Sequence, residues 1–66
     1  MIYELSLLCR DVAANMLSDL RDGKIEKIDI ELVRERLCGL EEWAGVDFYD
    51  REQMEVYTLH RIVEGA

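Results

Sequence analysis

Residues 2–23, IYELSLLCRDVAANMLSDLRDG, decide the fold class. Ile2, Leu5, Cys9, Val12, Met16 and Leu20 recur there at steps of three and four, the spacing that gathers side chains on one face of an α-helix. The stripe stops at Asp22-Gly23, where glycine can take the left-handed conformation that closes a helix.

Two further helices follow from the same period. Ile30, Val33, Leu37, Leu40 and Ala44 share a face, which predicts a helix over residues 30–44 with Asp29 as its N-cap and Gly45 as its terminator. Gly39 lies inside that span and costs up to ~1 kcal/mol against alanine. Asp50-Arg51-Glu52-Gln53 has the spacing of a capping box, with Tyr49 and Met54 placed as a hydrophobic staple. It predicts a third helix over residues 50–64, with Val56, Leu59 and Val63 as its core stripe and Ile62 at the edge. Lys24-Ile25-Glu26-Lys27-Ile28 reads as an extended connector. The expected architecture is all-α: a compact three-helix bundle, a helical hairpin plus a C-terminal helix, in a single domain over residues 1–66.

The chain of 66 residues is half apolar and carries a net charge of −7. A domain of ~60 residues buries only about 60% of the surface its unfolded chain exposes. Its stability is then on the order of 3–10 kcal/mol, at ~0.05–0.15 kcal/mol per residue. Small folds reach that range with disulfides, a metal or oligomerisation. Cys9 and Cys38 have no C-x-x-C spacing, and His60 is the sole histidine, so no metal or cofactor is expected. Each cysteine lies in a helical pattern, where a free thiol behaves as a small hydrophobe. Oligomerisation remains.

The apolar inventory points the same way. After the three stripes are filled, Tyr3, Leu7, Leu8, Leu17, Leu32, Trp43, Phe48, Met54 and Tyr57 are left over. Tyr3 and Leu7 fall on the side of the first helix away from its stripe, and Leu32 and Trp43 lie off the main face of the second. A helix that is apolar on two sides is normally buried on two sides. A homodimer is therefore expected, with Tyr3, Leu7, Trp43 and Tyr57 as apolar interface anchors.

Charge is uneven along the chain. Residues 1–40 hold eight acids and six bases, a net of −2; residues 41–66 hold seven acids against Arg51 and Arg61, a net of −5. Such a surface repels phosphate backbones, so direct nucleic-acid binding is not expected, and Glu31, Glu35, Glu41 and Glu42 dilute Arg34 and Arg36 as elements of a helix-turn-helix reader. A basic partner protein suits it better. Glu41, Glu42, Asp47, Asp50, Glu52 and Glu55 cluster around the second interhelical loop and form the expected docking set. Residues 47–52 lack the D-x-D-x-D-G pattern of a calcium loop. A chain this short leaves little room for a pocket of the ~300 Å³ typical of ligand sites, so no enzyme activity and no catalytic residues are expected.

No apolar run approaches the ~20 residues of a membrane span, and the N-terminus lacks a basic leader; a cytoplasmic location is expected. The expected function is an acidic protein-binding module. It would act as an inhibitor or antagonist covering a basic, nucleic-acid-binding type of surface on a larger protein, in the manner of small phage or mobile-element effectors. An adaptor inserting an apolar helix face into a partner groove is the alternative, and a helix-turn-helix regulator comes third.

Overall fold

A computed structural model describes the backbone of residues 2–65 and the side chains of residues 5–65. Helix α1 spans Ile2–Arg21, α2 Ile30–Cys38 and α3 Phe48–Gly65, with a 3-10 turn at Glu41–Gly45 between the last two. The three helices share one core, and the expected all-α three-helix architecture is what the chain adopts. Its radius of gyration is 11.2 Å, close to the ~11 Å of a compact chain of this length.

Helix α1 follows its sequence stripe from Leu5 to Met16, while Leu20 is exposed and the side chain of Ile2 lies outside the described residues. Cys9, Val12 and Met16 are buried, together with Ala13, which fills the step between them. Gly23 takes φ 78°. Around it, the Gly23 amide donates to the Leu20 carbonyl at 3.2 Å and the Lys24 amide to the Asp19 carbonyl at 2.8 Å. This pair of bonds is the Schellman closure that a left-handed glycine permits. Residues 24–29 then run without helix, as an irregular connector. Asp29 caps α2: its Oδ1 accepts from the Leu32 amide at 2.9 Å.

Helix α2 departs from the expected span of residues 30–44. It ends at Cys38, with Gly39 as its C-cap, and Leu40 turns extended at φ −82° and ψ 133°. The cause is Trp43. In an uninterrupted helix its indole would stand well to one side of the Val33–Leu37 face. The bend at Leu40 turns it inward, where Trp43 is 3% exposed. An indole buries on the order of 200 Å², worth several kcal/mol at ~25 cal/mol per Å². The rearranged backbone bonds are worth only ~0.5–1.5 kcal/mol each, and several are remade as 3-10 bonds. These include Leu40 N–H to the Leu37 carbonyl at 3.0 Å and Trp43 N–H to the Leu40 carbonyl at 3.1 Å. Gly39, a weak helix former, makes the break inexpensive.

Helix α3 differs in start and rotation. It begins at Phe48, with the Arg51 amide donating to the Asp47 carbonyl at 2.8 Å, so Asp47 stands at the N-cap position and Asp50 lies within the first turn. The expected capping box and Tyr49–Met54 staple are not formed; Tyr49 is exposed and Met54 buried. The core face is Met54, Glu55, Thr58 and Ile62, while Val56 and Val63 are 66% and 69% exposed. The expected stripe of Val56, Leu59 and Val63 is thus turned outward, with only Leu59 partly buried against the core.

Polar side chains on the inner face make that rotation stable because each is satisfied. The Thr58 hydroxyl donates to the Met54 carbonyl at 2.7 Å, and the Cys9 thiol approaches the same carbonyl at 3.7 Å. Glu55 accepts from Arg34 through both oxygens, Nε at 2.9 Å and a terminal nitrogen at 3.2 Å. A bidentate, charge-assisted pair of this kind removes most of the penalty for burying a carboxylate. Arg36 likewise pairs with Asp19 at 2.9 Å, tying α2 to the end of α1.

The apolar surplus mostly goes inward. Leu17, Leu32 and Tyr57 pack on the core, and Trp43 and Met54 belong to it. Trp43 is therefore a core side chain and not a surface anchor.

Candidate functional site at the junction of the 3-10 turn and α3

The 3-10 turn and the first turn of α3 meet between α1 and α2, and a hollow opens on each side of the junction. On the α1 side is a groove of about 280 Å³ lined by Leu5, Leu8, Glu42, Gly45, Val46, Asp47 and Asp50. On the α2 side is a cleft of about 390 Å³ lined by Arg34, Cys38, Trp43, Phe48, Arg51, Glu52 and Glu55. The chain thus has more room for a pocket than its length suggests, because the break after Cys38 holds the junction away from α2.

The two hollows differ in electrostatics. In the cleft, Arg34 holds Glu55, whose side chain is only 12% exposed, and that carboxylate in turn raises the already high pKa of the guanidinium. Arg51 donates to the Trp43 carbonyl at 3.0 Å, fixing the end of the 3-10 turn, while its buried Nε has no partner. Two cations and two carboxylates line the cleft and balance one another. Both oxygens of Glu55 are taken up by Arg34, and Glu52 is exposed at the cleft's edge. Cys38 is an exposed free thiol at its edge.

Among the described residues the groove is lined by three carboxylates and no cation. Leu5, Leu8 and Val46 supply an apolar floor, and Glu42, Asp47 and Asp50 the acidic rim. A lysine or arginine side chain suits such a shape, its stem on the floor and its charged head among the carboxylates.

The six acids of the expected docking set are therefore divided. Glu42, Asp47 and Asp50 come together in the groove. Glu52 and Glu55 lie across α3 in the cleft, and Glu55 is already paired. Glu41 is exposed in the 3-10 turn and lines neither hollow. The expected apolar anchors do not form one surface. Leu7 is exposed, Tyr57 is half-buried against the core, Trp43 is inside, and the side chain of Tyr3 lies outside the described residues. The groove floor was not evident from sequence: Leu5 belongs to the α1 stripe, and nothing local marks Leu8 and Val46 as its neighbours in space.

Comparisons with protein-family models, with curated proteins and with solved structures find no match. Among the described residues, no three His, Cys, Asp or Glu side chains converge as a metal site requires, and no helix is long and apolar enough to cross a membrane.

Proposed function

We propose that the chain is a protein-binding module whose acidic groove takes a basic segment of a larger partner, covering a basic working surface as an inhibitor or antagonist does. The observation that carries this reading is the groove itself: Glu42, Asp47 and Asp50 around Leu5, Leu8 and Val46, with no cation in the lining among the described residues. Carboxylates gathered around an apolar floor favour a cationic side chain over water alone, and they steer its approach. The reading is non-catalytic, and it suits a cytoplasmic setting in which Cys38 stays a thiol. Arg34 and Arg36, the cations a DNA-reading α2 would present, are engaged by Glu55 and Asp19.

A lysine-rich peptide titrated into the chain tests this reading. Exchanging Glu42→Lys together with Asp47→Lys should abolish binding and its salt dependence, while Glu31→Lys on exposed α2 surface should change binding far less. Equal losses from the two would reduce the effect to net charge and remove the groove from consideration. The adaptor alternative draws on a separate observation, the apolar outer face of α3.

A further inference from the structure

We infer that the outward face of α3 is a docking surface for a basic amphipathic helix of another protein. Tyr49, Val56 and Val63 stand seven residues apart on α3 and are 70%, 66% and 69% exposed. Gln53 and His60, also exposed, fall between them, so the five positions step by four, three, four and three. This is the period of a helix–helix seam. It extends ~21 Å along the helix at ~1.5 Å per residue.

The core does not need this face. Met54, Thr58 and Ile62 occupy the opposite side of α3 and make its packing contacts. With Thr58 and Glu55 satisfied on the inner side, Val56 and Val63 are left outside with no part in the core.

The flanks decide the occupant. By helical register Glu64 borders the seam on one edge, 3.9 Å from the seam's own His60, with Asp50 of the groove rim further along, and Glu52 borders the other edge. Both cations of α3 lie off the seam: Arg51 turns toward the Trp43 carbonyl and Arg61 is half-buried. Residues bordering a helix–helix seam choose its partner by charge, and an acid-only border selects Lys and Arg opposite. A second copy would bring acids against acids, and two chains of net charge −7 repel one another besides. A basic helix meets neither obstacle. The surface meets the acidic groove at Asp50 and is otherwise distinct from it, sharing with that reading the premise of a basic partner.

The test uses the whole chain, isotope-labelled for NMR, and an amphipathic peptide of about 18 residues, long enough to cover the seam. The peptide carries Leu at every third and fourth position and Lys elsewhere. Amide shifts should map to Tyr49, Gln53, Val56, His60 and Val63. Val56→Asp, an exposed change whose folding is checked by circular dichroism, should weaken binding roughly tenfold. The same peptide with Glu in place of Lys should not bind. Unchanged affinity in Val56→Asp would reduce the effect to general charge attraction and overturn the inference. Shifts confined to Leu5, Glu42 and Asp47 would overturn it too, while leaving the groove reading intact. Seam shifts that persist in the Glu42→Lys, Asp47→Lys double variant would support it and count against the groove. A peptide-free dimer dissociated by Val56→Asp would assign the face to a second copy and end the proposal.

Discussion

Helices α1 and α3 are of similar length and pack on each other, yet they relate to their sequences in opposite ways. In α1 the apolar stripe is the buried face: Cys9, Val12 and Met16 all point inward. In α3 the β-branched residues Val56 and Val63 point outward, and Thr58 with 0% exposure lies within. The difference shows what periodicity measures. It reports that an apolar face exists and is silent on whether the core or another surface will cover it. Which face turns inward depends on whether the polar groups on it find partners, and in α3 they do.

The comparison can be broken most forcefully at Met16. Truncating this fully buried side chain with Met16→Ala should cost ~2–5 kcal/mol in urea denaturation. That is a large share of a stability on the order of 3–10 kcal/mol, so the variant should be partly unfolded at room temperature. A loss near zero would mean that α1 does not anchor the core.

A smaller effect concerns the contact between the two helices. Burial pushes the Cys9 thiol up from its ordinary 9.0, with a Thr58 hydroxyl pulling the other way. The unfolded thiol ionises first, so this contribution to stability is whole below pH 9.0 and is lost as pH climbs toward the folded value. Stability should therefore decline above that point, and Cys9→Ala should flatten the decline. In native protein an aromatic disulfide reagent should modify the exposed Cys38 at once and the buried Cys9 only at the rate of unfolding. Rapid modification of both thiols would show that α3 does not seal α1.

The smallest expected effect sharpens the comparison from the other side. Val63→Ala should change stability by no more than about 0.5 kcal/mol, as exposed sites do. A loss approaching that of Met16→Ala would put Val63 in a core and require α3 to be rotated.

Much of the fold was legible because its signals are local. The α1 stripe, the Asp22-Gly23 closure, the Asp29 cap and the helix-free connector at residues 24–28, expected as extended and found irregular, each depend on neighbours a few positions apart. The end of α2 was not legible, because Trp43 gains its burial in the shared core, and no pattern within residues 30–44 records that gain. Asp50-Arg51-Glu52-Gln53 has the letters of a capping box, but Asp47 stands three residues earlier and takes the cap position first. The acidic cluster was legible as composition only. Its division into a groove of unpaired carboxylates and a cleft neutralised by Arg34 and Arg51 is a matter of which side of α3 each residue faces. Sequence neighbours such as Asp50 and Glu52 end up in different hollows.

The pairing of α1 with α3 has a temporal side. Cys9 and the Met54 carbonyl meet across 45 positions of sequence, so a large loop must close before the main contact contributes anything. A chain growing from its N-terminus makes α1 and α2 first, with Met16, Val33 and Leu37 still uncovered. Their burial is complete only once the stretch from Met54 to Ile62 is in place. The core then closes late, as one step, when the third helix arrives.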